Sequence, residues 1–334
     1  MLRFAVRRLA MLVPTLFGLS ILLFAWVRAL PGGPARALLG QKATPSAIDA
    51  INKAYGFDQP LVQQYFTYLG SLLRGDFGSS IKKHETVLSA FADKLPATVE
   101  LSILALIFAI VVGVPLGYFA GKRAGSTADA TVVSFSLLGT VTPVFFLALL
   151  LKYVFALKLN IFDTVGRQDP RIEATHTTGF YVLDGIINGQ FGAAWDAVMH
   201  LALPALALGT IPLAVVVRMT RASVSEVIHE DYVRTAEAKG LRTRTINIRH
   251  VMRNALLPVI TSLGLQLGLL LAGAILTETV FDLDGIGQYL YEAIRDRDYP
   301  VLQGFILFIA IMFTLVTLVV DLLYGLIDPR VRES

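Results

Sequence analysis

Long apolar stretches recur along the chain and are separated by polar segments. Each stretch is long enough to cross the roughly 30 Å hydrocarbon core of a bilayer as a helix. Six spans are predicted, at residues 9–27, 97–121, 131–157, 197–217, 255–280 and 301–327. The first follows three arginines but runs into Arg28 without a small-residue cleavage pattern. We therefore interpret it as a retained span and not as a cleaved signal peptide.

Small residues and prolines recur within the predicted spans. Gly113, Gly117 and Gly121 are spaced four apart in the second span, and Gly264 and Gly268 repeat this spacing in the fifth. Such spacing allows two membrane helices to pack closely, which is how we interpret it. Bends in the second, third and fourth spans are expected at the prolines at positions 115, 143, 204 and 212.

The polar segment after the first span carries helical signals of its own. Thr44 followed by Pro45 is typical of a helix start, and Gly56 is typical of a stop. A second helix is predicted at about residues 60–75, and a third is expected to end at Pro96. Because each has one apolar face, these helices are expected to lie on the outer membrane surface or to cap the outer end of the bundle.

Composition supports the membrane class and excludes several others. Hydrophobic residues make up 55% of the 334 residues and charged residues only 16%, whereas soluble domains carry about 25% charged residues. The absence of cysteine excludes disulfides, thiolate metal sites and cysteine nucleophiles. The net charge of +4 could suggest nucleic acid, but the positive charges follow the membrane topology instead.

Lysine and arginine are unequally distributed between the two sides of the predicted spans. One set of segments holds 15 of them in 61 residues and the other holds 13 in 128. The dense set comprises residues 1–8, 122–130, 218–254 and 328–334, and the sparse set comprises 28–96, 158–196 and 281–300. Because cytoplasmic segments are enriched in these residues, the dense set and both termini are predicted to be cytoplasmic.

These observations predict an all-α polytopic membrane protein with about six transmembrane helices. The expected regions are 1–27 with the first span, 28–96 as an external helical segment, 97–327 as a core of five spans that includes the cytoplasmic loop 218–254, and 328–334 as a cytoplasmic tail. The mixed pattern of residues 158–196 yields no structural prediction.

Motifs for enzymatic chemistry are incomplete or absent. The segment 117–123 resembles part of a phosphate-binding loop, but it is one residue short and has Arg123 where a serine or threonine is required. We therefore expect no enzymatic activity and no ATP, Mg²⁺ or other cofactor bound by this chain. His200 has no evident partner at metal-ligand spacing and is interpreted as a helix-end or packing residue.

Ionisable residues within the predicted spans lie close to the span ends. Glu100, Lys152, Glu278 and Asp321 are all within about seven residues of an end, so each can reach the interface or an aqueous opening. No charged residue is predicted at the midplane. This pattern argues against a carrier coupled to protons or sodium ions.

Two polar residues of the fifth span are candidates for a translocation path. Glu278 could face that path and meet a substrate ammonium group, or it could be an interfacial carboxylate in water or paired with Arg295 or Arg297. Gln266 could line a cavity or form a hydrogen bond between helices.

The cytoplasmic loop 218–254 is predicted to contain a short helix that Asp231 caps and Gly240 ends. A second, basic helix is expected from about Thr243 to Arg253. The short helix could dock into a groove of another protein. Alternatively, the basic segment could lie on anionic lipid headgroups, and the residues alone do not separate these two interpretations.

The segment Asp231–Leu241 followed by Arg253–Pro258 resembles the EAA loop of binding-protein-dependent ABC permeases, in the form found in the dipeptide and oligopeptide group. Further segments are similar to the dipeptide branch of that family: Leu2–Phe4 with Arg7 and Arg8, Pro31–Pro34, Tyr55–Pro60, Gly75–Gly78, Leu95–Leu101, Gly209–Arg221, Ala272–Phe281 and Asp298–Pro300. Two departures from the general motif, Arg234 in place of glutamate and eighteen residues from Gly240 to Pro258, are shared with the peptide group.

The resemblance implies a type I ABC importer transmembrane domain in a prokaryotic inner membrane, forming half of the pathway for dipeptides or short oligopeptides. The implied partners are a second permease, two cytoplasmic ATPases that bind ATP and Mg²⁺, an extracytoplasmic peptide-binding protein and the lipid bilayer, but no nucleic acid. The residues that it assigns to the ATPase-coupling loop are Asp231, Tyr232, Val233, Arg234, Thr235, Ala236, Ala238, Lys239, Gly240 and Leu241. Alternatives are a permease for nickel, glutathione or antimicrobial peptides, and a non-transporting membrane assembly subunit.

Overall fold

A computed structural model of the chain describes residues 2–30, 35–36, 39–40 and 43–327. The described residues form helices and no β-strand, with one isolated bridge between Ser79 and Thr86, which confirms the predicted all-α class. The helices are α1 (Leu2–Arg28), α2 (Pro45–Tyr55), α3 (Leu61–Leu73), α4 (Val87–Lys122), α5 (Thr127–Val141), α6 (Val144–Leu151 with the π-helical Lys152–Lys158), α7 (Tyr181–Ile187), α8 (Phe191–Val227), α9 (Asp231–Ala238), α10 (Thr243–Thr245, the π-helical Ile246–Met252 and Arg253–Gly273), α11 (Ile275–Phe281), α12 (Ile286–Asp296) and α13 (Tyr299–Ile327).

Within the described residues, five helices are long and apolar enough to cross a membrane, and the pair α5 and α6 raises this to six if it counts as one span. The third span was predicted to be one helix bent at Pro143, but α5 and α6 are separate helices that meet at an angle of 98°. The break follows from Pro143, which has no N–H to donate and holds Thr142 in extended conformation (φ −76°, ψ 124°).

Other helix boundaries differ from the predicted ones. The external helix that was expected to stop at Pro96 instead continues through Pro96 and Pro115 as α4, over 36 residues. Proline is tolerated inside long apolar helices where neighbouring groups compensate for the lost hydrogen bond. The fifth span was predicted to reach residue 280 but ends at Gly273, before the separate helix α11.

The chain divides into two compact units, one formed by Met1–Leu95 with Gly285–Leu315 and the other by Pro96–Asp284 with Val316–Ser334. The division at residues 27, 96 and 327 followed the predicted membrane topology and stays a prediction, and the predicted tail 328–334 lies outside the described residues.

The first unit has an aromatic core. Phe305 packs against Phe91 edge-on and against Tyr289 in a stacked arrangement, with ring centres 5.3 and 5.0 Å apart. Asp298 is buried and accepts a 2.6 Å hydrogen bond from the Ser80 hydroxyl and a 3.1 Å bond from the Ile81 amide. Asp298 thereby attaches the loop before α4 to the start of α13.

In the second unit, the glycine row of α4 lies directly against α8. A methyl group added at Gly117 would lie 2.6 Å from Thr220 Cβ and 2.7 Å from the Val217 carbonyl oxygen. Gly121 is equally close to the carbonyl oxygen of Arg221, at 2.7 Å. These contacts confirm that the four-residue spacing serves close helix packing.

The segment 158–196, for which the sequence predicted no structure, is held by two buried carboxylates, one from α4 and one from the segment itself. Glu100 accepts hydrogen bonds from Arg167 Nη2 at 2.6 Å and from the Val182 amide at 2.8 Å. Asp184, which is 1% exposed, accepts bonds from the Thr178 hydroxyl at 2.7 Å and from the Gly179 amide at 3.1 Å. The segment is therefore folded although it contains only one short helix besides the start of α8.

Candidate coupling loop and translocation-path residues

Helix α9 is anchored on one face and exposed on the other. Val233 and Ala236, three residues apart, are buried and pack in one cluster with Val224 of α8 and with Ile246 and Val251 of α10. The remaining predicted loop residues are exposed, namely Asp231, Tyr232, Arg234, Thr235, Ala238, Lys239, Gly240 and Leu241. A helix fixed to two long helices and open on its outer face has the geometry that docking to another protein requires.

The start of α9 corrects the predicted cap. Glu230, not Asp231, occupies the cap position, with an extended backbone (φ −66°, ψ 146°) and no side-chain capping bond. The Glu230 carbonyl already accepts the Val233 amide at 3.0 Å, so the helix begins one residue earlier than expected. Asp231 lies in the first turn, where its negative charge is favourable near the positive end of the helix dipole.

Gly240 ends α9 in the left-handed region, with φ +68°. Its amide donates to the Glu237 carbonyl at 2.9 Å, and the Leu241 amide donates to the Ala236 carbonyl at 3.3 Å. This pair of bonds is the Schellman motif, in which glycine is favoured. A Cβ atom at Gly240 would have no neighbour within 4 Å, so the requirement for glycine within this chain comes from the backbone and not from crowding.

The basic segment after Gly240 is not the separate helix that was predicted. Residues from Thr243 onward form the first turns of α10 and continue into the fifth span through the π-helical Ile246–Met252. Tyr232 is also connected to this helix, because its hydroxyl accepts a 2.9 Å bond from Asn254 Nδ2. Helix α9 is thus attached to an extension of a membrane span.

An ion pair that the sequence analysis did not identify connects the 122–130 segment to α8. Arg221 donates to both carboxylate oxygens of Asp129, from Nε at 2.7 Å and from Nη2 at 2.6 Å. Asp129 is 3% exposed and also accepts the Gly125 amide at 2.9 Å, while Ser126 caps α5 by accepting the Asp129 amide. A capping serine three residues before an aspartate was the available sequence signal, but nothing local indicated Arg221.

Glu278 and Gln266 lie on different helices, α11 and α10. Glu278 is fully buried, and its Oε1 accepts a 2.6 Å hydrogen bond from the Thr98 hydroxyl. Its interpretation as an interfacial carboxylate in water is therefore wrong. Gln266 is half-buried. A role for either residue in contacting substrate stays a prediction.

His200 has the partners that the sequence did not reveal. Its ring is 3% exposed and lies between two carboxylates, with Nδ1 3.4 Å from Asp196 Oδ2 and Nε2 3.5 Å from Asp163 Oδ2. Nδ1 also lies 2.9 Å from the Asp196 carbonyl oxygen. One potential metal-ligand atom from each residue lies within 4.8 Å of the others, but the carboxylates face opposite ring nitrogens, which suits polar contacts on both sides of the ring better than chelation of one ion.

Comparison with known proteins identifies the family to which this architecture belongs. The family model described as "Binding-protein-dependent transport system inner membrane component" matches residues 113–333, and the corresponding N-terminal model matches residues 1–102. The chain is 45% identical over 332 residues to the dipeptide transport system permease protein DppB of Alkalihalophilus pseudofirmus, covering 99% of this chain and all of that protein. It is 44% identical over 338 residues to the protein of the same name from Escherichia coli K12, with full coverage of both.

A glutathione transport system permease protein from Escherichia coli, GsiC, is 36% identical over 332 residues, which is 99% of each chain. These three relatives match over nearly the whole sequence, which includes the loop that contains α9. The chain belongs to the family of binding-protein-dependent transport system inner membrane components.

Proposed function

We propose that this chain is a permease subunit of an ABC importer and forms half of the translocation pathway for dipeptides or short oligopeptides. The observation that carries this proposal is the full-length identity of 44–45% with dipeptide permeases, compared with 36% for a glutathione permease. The nickel, antimicrobial-peptide and assembly alternatives have no comparable support.

We infer the partners from the family. A second permease would complete the path, an extracytoplasmic binding protein would deliver peptide, and two cytoplasmic ATPases would bind ATP and Mg²⁺. This chain would contribute no nucleotide site. Both termini and the loop 218–254 would be cytoplasmic, because the lysine and arginine density is higher on that side.

Coupling would operate through α9. Its exposed face would dock on an ATPase, and its buried Val233 and Ala236 would transmit the movement to α8 and α10. The Asp129–Arg221 pair and the glycine contacts of α4 would then carry α5 and α4 along with α8. Alternating access would follow from a tilt of these packed helices.

The test is reconstitution of the chain with its second permease, ATPases and binding protein in proteoliposomes. We expect ATP-dependent uptake of a labelled dipeptide, and no ATPase activity from the chain alone. Calorimetry of the binding protein with di-, tri- and tetrapeptides and with glutathione would establish peptide length. Preferential uptake of glutathione over dipeptides would contradict the proposed substrate, and ATP turnover by the lone chain would contradict the subunit role.

A further inference from the structure

A cavity of about 700 Å³ lies in the first unit, between the end of α1, helix α3 and the start of α13. Ligand sites in proteins usually occupy roughly 300–1,000 Å³. The charged side chains on its wall are Arg28, Lys53 and Asp76, which leave an excess of one positive charge. An anionic group is therefore a better electrostatic match for this cavity than a cation.

Arg28 is oriented in this cavity by groups that carry no negative charge. Its Nε donates to Gln64 Oε1 at 2.9 Å, and its guanidinium carbon lies 3.3 Å from the centre of the Phe24 ring. Gln64 is itself fixed, because its amide donates to the Phe57 and Gln59 carbonyls at 3.0 and 2.7 Å.

Arg28 Nη1 makes one long contact, 3.4 Å to the Phe24 carbonyl. Among the residues that the structure describes, no carboxylate forms an ion pair with Arg28. Most of the guanidinium donors, whose planar fork matches phosphate and carboxylate oxygens, thus remain available.

Tyr68 supplies a second donor on the same cavity wall. Its hydroxyl oxygen is buried and has no hydrogen-bond partner in the described part of the chain. Burial raises the pKa of Tyr68 to about 12, although the nearby charge of Arg28 opposes that rise. The phenol is therefore a protonated donor at neutral pH. A buried hydroxyl without a partner is unfavourable, and a bound oxyanion would relieve this.

Exposed apolar side chains continue from Arg28 along α1. Ile21 and Phe17 lie seven and eleven residues before Arg28 on the same helix face and are 41% and 47% exposed. At 1.5 Å per residue, they lie roughly 10 and 16 Å further toward the bilayer interior. An anion-binding group at the end of a span, with an exposed apolar stripe below it, matches a phospholipid headgroup and its acyl chain.

We propose that this cavity binds the phosphate group of a phospholipid, held by the Arg28 guanidinium and the Tyr68 hydroxyl, with an acyl chain along Ile21 and Phe17. The predicted orientation of α1 assigns the lipid to the outer leaflet. The assignment to the outer leaflet depends on the proposed topology. The proposal that the cavity binds a phospholipid does not depend on it.

The test uses the full-length protein purified in an uncharged detergent. Its thermal unfolding midpoint is measured against dioctanoyl phosphatidylglycerol, dioctanoylglycerol, which lacks the phosphate, and sn-glycerol 3-phosphate, which lacks the chains. We expect the phospholipid alone to raise the midpoint. Its apparent affinity should fall about tenfold in Arg28→Gln and in Tyr68→Phe, because each loses a donor to the phosphate. The matched controls Arg74→Gln and Tyr291→Phe, which change exposed residues off the cavity wall, should bind as the unmodified protein does.

If Arg28→Gln does not fold, Tyr68→Phe still tests the proposed contact with the phosphate. It removes only a hydroxyl that has no hydrogen-bond partner among the described residues, so the midpoint without lipid should stay the same or rise. An unchanged affinity in Tyr68→Phe would overturn the proposed phosphate contact. A response to glycerol 3-phosphate equal to that of the phospholipid would assign the cavity to a soluble anion and overturn the lipid assignment. An equal response to dioctanoylglycerol would show that the phosphate is not recognised.

Discussion

At the scale of single residues, Gly240 is the position of the candidate coupling loop where the backbone most restricts the choice of residue. Its φ of +68° strains any β-branched residue, by about 1 kcal/mol or more, while the open space around it removes steric crowding as a cause. We expect Gly240→Val to reduce peptide uptake and peptide-stimulated ATP hydrolysis in the reconstituted complex at equal subunit abundance. Gly240→Asn, which tolerates the left-handed region, should retain most of both activities.

The competing lipid-surface interpretation of this loop predicts the opposite ranking. Neutralising Arg242, Arg244 and Arg249 together would weaken membrane contact by about 1 kcal/mol per charge, whereas one glycine would matter little. Normal transport by Gly240→Val together with failure of the triple arginine variant would therefore show that α9 does not couple to an ATPase.

Two residue-level predictions with a local cause were accurate, although the local cap prediction at Asp231 was not, because Glu230 occupies that position. The left-handed stop at Gly240 depends on its own backbone, and Thr44 accepts the Ala47 amide at 3.3 Å, as the Thr44–Pro45 pair predicted. Residue-level prediction missed the environment of a residue where its partners are distant in sequence. Thr98 lies 180 residues from Glu278, and Asp163 is not on the helix of His200, so nothing near either residue in the sequence indicated its environment.

At the scale of helices, the contact between α4 and α8 leaves no room for a side chain at Gly117. We expect Gly117→Ala to lower the free energy of unfolding by about 1–3 kcal/mol, because the new methyl group would lie 2.6 Å from Thr220 Cβ. Gly192→Ala on α8 is the matched control, since a Cβ atom there meets nothing within 4 Å. Thermal unfolding of both purified variants decides the point, and equal midpoints would contradict the close packing.

The Asp129–Arg221 pair makes a second prediction for the same helices. Asp129→Asn should lower the free energy of unfolding by about 1–3 kcal/mol, because a buried carboxylate that receives both guanidinium donors is replaced by a neutral amide. Arg171→Gln is the control, because Arg171 is 92% exposed and 3.9 Å from Asp169, and such surface pairs contribute about 0–1 kcal/mol. Both variants are measured by denaturant unfolding in detergent. A similar decrease in the free energy of unfolding in both would show that the Asp129–Arg221 pair contributes no more than a surface pair.

Helix-level prediction succeeded for patterns that repeat and failed for single events. Four-residue glycine spacing recurs over several turns, and it correctly indicated close packing at Gly113, Gly117 and Gly121. The bend at Pro143 was predicted, but its conversion into a break of 98° was not, because an identical residue at Pro115 lies inside a continuous helix. The fold of segment 158–196 depends in part on Glu100, which is 67 residues from Arg167 and 82 from Val182, so no pattern within the segment indicated these contacts.

At the scale of the whole molecule, the number of apolar spans and the family were predictable, because hydropathy and motifs depend on residues that are close together in the sequence. The grouping of residues 285–315 with residues 1–95 was not, since it rests on contacts such as that between Asp298 and Ser80, 218 residues apart. The membrane orientation was predicted from the density of positive charge along the sequence. The geometry of the helices alone does not specify it, so it stays a prediction.

Orientation can be tested directly because the chain has no cysteine. Ser46 and His229 are both exposed, so a thiol at either position would be accessible from its own side of the membrane. We expect Ser46→Cys to react with an impermeant maleimide added to intact spheroplasts, and His229→Cys to react only after permeabilisation. The denser positive charge around His229 motivates this assignment. Labelling of His229→Cys in intact spheroplasts, with Ser46→Cys protected, would reverse the topology. Helix α9 would then be on the extracytoplasmic side, where it could not contact a cytoplasmic ATPase.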